Sequence, residues 1–441
     1  METASSATGS ASRPSSATGD AEGGARFAPT DGGWPEASGV ARVEKRGGVP
    51  RLVQPLATAA GAATELRFVG THVFDLLDKL ANEAGSDDER RAIVRAVLGA
   101  VAADGAAVVR LWGSLKRTGD AAEVARAAEL LELVLAENER RPRPLRFVVT
   151  LLNHQAGYGT PDPARSLDDQ TPASGWAARD VYLRDGWQKP GRGQLADRIT
   201  AFASRPAIAR SSYVLAWELV NELDVFRLLD AGRFAGPPSV TLRRRFAVPA
   251  LTRAARAFTQ PLALGELRGA LGPEYERFVR ALAGELPSDV RMRLVWTSHV
   301  YADKGGDLAG PTRKLDVDLA LAQELGLPFV LGELGQHVSG APRSFCAGTA
   351  THDLDALFSA VLEAGPGVAA RRGTIDALFL WGEGRCALSV PDRPQPIDLG
   401  VGGDSADLGP ADERARRAAR ALRRRPRFSI DTGVAGAPAV E

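Results

Sequence analysis

Eight short apolar runs, most of them followed by a longer amphipathic run, constrain the fold of this chain more than any other feature. The apolar runs cover residues 66–73, 107–112, 146–153, 214–221, 261–266, 293–299, 328–333 and 377–381. Each has the length and mostly apolar character of a strand buried on both faces. Runs with helical periodicity cover 88–101, 121–136, 194–204, 245–258, 273–286, 315–325, 353–363 and 411–425. Strands apolar on both faces need helices over the sheet, and eight βα units in about 370 residues suit a (β/α)8 TIM barrel with enlarged βα loops.

The remaining sequence is read around that barrel. Residues 1–60 are rich in small residues, Pro and Gly, and are expected to form a disordered leader. An ordered arm is the alternative around Phe27 and Trp34, whose rings need a surface to cover them. The barrel is expected over 61–430, with a flexible tail at 431–441. The N-terminus lacks the basic start and apolar core of a secretory signal, so the chain as written reads as cytoplasmic, and as secreted if the true start differs.

Composition excludes several classes of function. With 44% hydrophobic and 25% charged residues, the 441-residue chain has the balance of a globular protein. A net charge of +1 gives no general attraction to nucleic acid. No apolar run approaches the roughly 18 residues of a membrane span. Cys346 and Cys386 make neither a disulfide framework nor a zinc pattern, though one bridge between them stays open. The Arg-rich segment 414–427 reads as a solvated last helix in preference to a site for an anionic partner.

In a βα barrel, chemistry sits at the C-terminal ends of the strands. Those positions hold His72, Arg110, Trp112, Asn153, His154, Asn221, Glu222, Glu266, His299, Tyr301, Glu333 and Trp381. Glu222 ends the run LAWELVNEL and Glu333 lies in PFVLGELG. Two carboxylates at the ends of separate strands are what a two-carboxylate hydrolase needs.

Six segments carry a family resemblance, in order along strands two to eight. They are VVRLWG at 108–113, Asn153-His154, AWELVNE at 216–222, SHVY at 298–301, VLGELG at 330–335 and LFLWG at 378–382. LRFVGTHVF at 66–74 is similar to a first strand of the mannanase-like members. Together they resemble the clan of retaining glycoside hydrolases that includes family 5, the cellulases and β-mannanases. The chain departs from many members in having Leu223, where they have Pro, after the second Glu.

The resemblance implies that Glu222 is the general acid/base and Glu333 the nucleophile of a double displacement. Arg110 would favour an ionised Glu333, Tyr301 would donate it a hydrogen bond, and Glu222 would be held protonated beside its ionised partner. Asn221 would hold a sugar hydroxyl, Trp381 would form the floor of the sugar site, and His154 and His299 would orient these groups. Trp112 joins the substrate-binding set. PLALGELRG at 261–269 copies the nucleophile's local sequence, but His299 follows Glu266 and precedes Glu333. Motif order therefore puts Glu266 outside the dyad.

The expected substrate is a β-linked polysaccharide or oligosaccharide, mannan-like or glucan-like, acted on by a monomer with no cofactor, nucleic acid or membrane partner. Trp176, Tyr182 and Trp187, in the long segment 157–193, read equally as sugar platforms or loop anchors. The rival from another class is a non-catalytic carbohydrate-binding barrel, which has no need of both Glu222 and Glu333. A metal-dependent hydrolase is disfavoured by five scattered His residues.

Overall fold

The computed structural model describes residues 26–27, 34, 36–57, 63–115, 121–152, 186–188, 190, 194–223, 238–267, 271–302, 309–336, 338–339, 349–350, 354–362, 374–381, 390, 413–428 and 430–431. Asn153, His154, Trp176, Tyr182, Cys346, Cys386 and residues 432–441 lie outside this set.

The eight expected strands are present. They are β1 (Phe68–His72), β2 (Val108–Trp112), β3 (Arg146–Thr150), β4 (Val214–Glu218), β5 (Leu262–Ala263), β6 (Trp296–Ala302), β7 (Phe329–Gln336) and β8 (Ala377–Leu380). All neighbours are parallel, and β8 pairs with β1, so the order around the sheet is the order in the chain. Between β5 and β6 the ring closes, among the described residues, through a single parallel bridge, Leu262 to Leu294. The Leu262 N–H donates to the Arg293 carbonyl (2.9 Å) and the Val295 N–H to the Leu262 carbonyl (2.8 Å). The fold is a (β/α)8 TIM barrel.

A helix follows every strand: α1 (Asp87–Ala103), α2 (Ala121–Glu139), α3 (Leu195–Ala203), α4 (Val248–Ala257), α5 (Pro273–Glu285), α6 (Ala309–Leu325), α7 (Leu354–Leu362) and α8 (Glu413–Arg423). Ser86 caps α1 by accepting from the Glu89 N–H, in front of three acidic residues that suit the positive end of the helix. A short helix at Leu76–Asn82 precedes α1 and was not expected. The Arg-rich α8 is more than a solvated helix. Arg423 is buried and donates to the carbonyls of Val69 (3.0 Å) and Asp104 (2.8 Å), and Arg420 pairs with Asp104 at 3.1 Å. These bonds fasten the last helix to the β1 side of the barrel.

Within the expected leader, Arg42–Arg46 and Val49–Pro55 form two strands of an antiparallel sheet whose third strand, Ala63–Glu65, lies just beyond it. Its reversal uses Gly47 and Gly48, both at positive φ, which glycine adopts without a Cβ penalty. The sheet and the buried Trp34 cover the N-terminal end of the barrel. Trp34, Leu52 and Leu56 pack with Phe68, Val108, Leu215, Val295, Val330 and Ala377. Gln54 locks this cover in place. It donates to the carbonyls of Gly39 (3.0 Å) and Ser212 (2.5 Å) and accepts from the buried Arg146 (2.9 Å). The ordered-arm alternative thus describes Trp34.

Candidate active site

The opposite end of the barrel gathers the polar groups. Beyond β4 the chain does not turn away at once. The Asn221 N–H donates to the Leu152 carbonyl (2.8 Å), and Glu222 forms a parallel bridge with Glu266. This carries Asn221 and Glu222 above the strand ends. On the other side, the pairing of β6 with β7 shifts register. Ser298 faces Leu331 but His299 faces Glu333, so Gly332 is the extra residue of a bulge. Bulges re-aim side chains next to functional sites. A Cβ at Gly332 would lie 2.9 Å from His299 Nε2, so only glycine leaves room for that imidazole.

Glu222, His299 and Glu333 meet there, all buried. His299 Nδ1 lies 2.9 Å from Glu222 Oε1 and 3.4 Å from Glu333 Oε2. One oxygen from each carboxylate and one ring nitrogen all fall within 4.8 Å of one another. Glu333 has two further partners: Arg110 Nη1 donates to Oε1 at 2.8 Å, and the Tyr301 hydroxyl donates to Oε2.

Burial raises the Glu333 carboxyl above its ordinary value, against the opposing charges of His299 and Arg110, while a charged Glu222 would raise it further. The Arg110 charge opposes that rise, but desolvation outweighs it. For His299, burial works against the charged ring. The Glu333 charge and the bond to Glu222 overcome it, so its pKa is raised. Burial, then the Glu333 charge, hold the Tyr301 phenol well above its usual value, so it remains a donor.

Arg110 is 1% exposed and holds four acceptor contacts. Besides Glu333 it donates through Nη2 to Asn221 Oδ1 (2.7 Å), and through Nε (2.9 Å) and Nη2 to Glu218 Oε2. The Thr150 hydroxyl donates to the same Glu218 oxygen at 2.5 Å. Burial opposes the Arg110 charge, yet Glu218 and Glu333 outweigh it and raise its pKa further.

An aromatic cluster borders these groups. Trp381 stacks on Phe74, with centroids 5.0 Å apart and planes at 15°. Trp112 lies 4.6 Å from Phe74 and 6.3 Å from Trp381. Trp112 and Phe74 are buried, whereas Trp381 is half-buried. His72 meets Trp381 edge-on at 4.6 Å and bonds the Gly332 carbonyl through Nε2 at 3.0 Å. Burial and the Arg110 charge hold its pKa well down, so His72 is neutral. Its Nδ1 has no hydrogen-bond partner among the described residues.

Arg110, Trp112, Asn221, Glu222, His299, Tyr301, Glu333 and Trp381 therefore converge, while His154 lies outside the described residues. Trp187 does not join them. It is 1% exposed, donates from Nε1 to the Arg245 carbonyl (2.9 Å) and packs edge-on against Phe246, which makes it a loop anchor. Glu266 is also apart from the dyad's hydrogen bonds, paired with Lys314 of α6 at 2.7 Å. Glu218 and Thr150 were missed. A carboxylate inside the apolar run VLAWE was the available signal, since a buried acid on a barrel strand requires a partner.

Among the described residues, Glu222, His299 and Glu333 are the one group of three such donors close enough to hold a cation. The Arg110 guanidinium on Glu333 would compete with it for that carboxylate.

No protein-family model matches the chain. No curated protein matches it either. Solved structures do. An endo-1,4-β-D-mannanase from Thermotoga petrophila RKU-1 aligns at TM-score 0.48 and 15% identity, over 81% of this chain and 99% of that one. An endoxylanase of family GH10 from a sugarcane soil metagenome aligns at TM-score 0.45 and 13% identity, over 81% and 96%. A β-glucuronidase from Ruminococcus gnavus aligns at TM-score 0.43 and 12% identity, over 87% of this chain and 53% of that one.

Proposed function

We propose that the protein is a retaining β-glycoside hydrolase. The observation that carries this reading is the approach of the Glu222 and Glu333 carboxylates, with one oxygen of each within 4.8 Å. Retention requires carboxyl groups about 5–5.5 Å apart, whereas inversion needs about 6.5–9.5 Å to admit a water.

Glu333 attacks the anomeric carbon while Glu222 gives its proton to the departing glycosidic oxygen. A glycosyl-enzyme ester forms on Glu333. Glu222, now ionised, takes a proton from the incoming water, and the ester is hydrolysed. Arg110 and Tyr301 hold one oxygen each of Glu333, which fixes the angle of attack. His299 orients Glu222 through its 2.9 Å bond. Asn221 binds a sugar hydroxyl, and Trp381, backed by Phe74, offers its ring to the apolar face of a pyranose. The substrate is a β-linked polysaccharide or oligosaccharide, with a mannan-like or glucan-like backbone as the class the sequence motifs favour.

The test is a screen of manno-, gluco- and xylo-polysaccharides and their aryl glycosides, followed by NMR of the first product. Retained anomeric configuration is expected, and an inverted product overturns the mechanism. Glu333→Ala should abolish turnover, with added azide restoring release as a glycosyl azide. Sugar binding without turnover in the wild type would favour a binding barrel.

A further inference from the structure

Arg110 holds a second carboxylate, Glu218, which takes no part in the proposed double displacement. Glu218 is 1% exposed, at the end of β4, and takes two of the three guanidinium nitrogens of Arg110. Only Nη1 reaches Glu333. Arg110 alone would neutralise Glu333, and a buried extra charge is costly unless it is well paired. Thr150, from β3, supplies a third donor to Glu218 (2.5 Å).

We propose that Glu218 is a positioning residue that sets the basicity of Glu333 through Arg110. By occupying Nε and Nη2 it turns the guanidinium edge away from Glu333. A bidentate Arg–carboxylate pair becomes a single bond. Its negative charge also offsets the Arg110 field at Glu333. A carboxylate gripped by an undivided arginine would be easily ionised but a poor nucleophile. Sharing the arginine keeps Glu333 fixed in place and still basic. The kinetic consequence rests on Glu333 being the nucleophile; the charge coupling does not.

All three donors converge on one oxygen of Glu218, so Glu218→Gln can keep an acceptor there while losing the charge. The coupling is read by 13C NMR titration of the Glu333 side-chain carboxyl, assigned by its loss in Glu333→Gln. In Glu218→Gln it should titrate lower by roughly one pH unit. The acid limb of kcat/KM should move down with it, and kcat should fall roughly tenfold as the nucleophile weakens. Thr150→Val should shift Glu333 the opposite way. Without the hydroxyl, Glu218 draws harder on Arg110 and leaves less of it for Glu333.

A Glu333 titration unmoved in both variants overturns the proposal, as does a loss of rate equal at every pH. If Glu218→Gln does not fold, the Thr150→Val titration decides, upward for the proposal and unmoved against it. Opposite shifts in a protein that turns over no β-glycoside would keep the coupling and remove the hydrolase reading.

Discussion

Gly265-Glu266-Leu267 and Gly332-Glu333-Leu334 are the same tripeptide at the ends of two barrel strands, and the barrel treats them differently. At Gly332 the glycine is required by a side chain, since a Cβ there would crowd the His299 ring at 2.9 Å. At Gly265 it is required by backbone. With φ at 114°, a Cβ would fall 1.7 Å from the Val220 carbonyl. There the chain bends and Glu266 turns to α6. Lys314 pairs with Glu266 at 2.7 Å and with Asp318 at 2.6 Å, and the Tyr275 hydroxyl donates to Asp318.

Both glutamates are buried, and burial raises both pKa values, that of Glu266 to about 7. They differ in their partners. Glu266 faces one lysine whose own pKa, despite burial, is raised by Asp318 and Glu266. Glu333 faces an arginine, a tyrosine and a histidine that also holds a second carboxylate. A carboxylate closed into an ion pair serves the fold, and one divided among donors beside another carboxylate is equipped for chemistry.

Replacing each glutamate with glutamine separates the two roles most directly. Glu333→Gln should lower kcat roughly 10^4-fold or more. Glu222→Gln should cost roughly 10^2–10^4-fold. Glu266→Gln should stay within a few-fold of wild type on the same substrate. Equal losses at 266 and 333 would erase the distinction.

Lys314→Met leaves Glu266 and Asp318 buried without their cation. Denaturant unfolding should show a loss of about 3–5 kcal/mol. A change under 1 kcal/mol would mean that this cluster is not the structural one.

The pH dependence of stability sharpens the contrast. The Glu266 carboxyl rises from 4.5 to about 7 on folding, so the folded state holds its proton more tightly. That contribution is complete below pH 4.5 and disappears as pH rises through about 7. Unfolding curves of wild type should therefore lose up to about 3 kcal/mol over that window relative to Glu266→Gln. Parallel curves for the two proteins would contradict this.

Tyr301→Phe is the mildest test. It removes a donor to the ionised form of Glu333, so the acid limb of kcat/KM should move up and the rate should fall roughly tenfold. An unshifted limb would show that the hydroxyl does not tune Glu333.

Much of this was legible in the chain. The eight strands were readable because each is apolar on both faces, and motif order assigned the proposed nucleophile to Glu333 in preference to its look-alike Glu266. The N-terminal sheet was not, because its strands (RVEKR, VPRLVQP) are short, charged and cover only one end of the barrel. The fifth strand was read too long. PLALG is apolar and leads straight into Glu266, but the bend at Gly265 leaves two residues in the ladder. Lys314 and Asp318 lay one turn apart on an ordinary amphipathic helix, with nothing local to show that they face inward. Glu218 was visible only as an acid among apolar neighbours.

The short β5 has a consequence for how activity is lost on heating. Among the described residues the barrel is joined between β5 and β6 by one bridge, and Glu222 stands on one side of that seam while His299 and Glu333 stand on the other. Local opening begins where a ladder has the fewest bonds to break. Amide hydrogen exchange should therefore be fastest, among the barrel strands, at Leu262 and Val295. Turnover should stop at a temperature where the helices still give their full circular dichroism signal, because the two carboxylates part before the barrel melts.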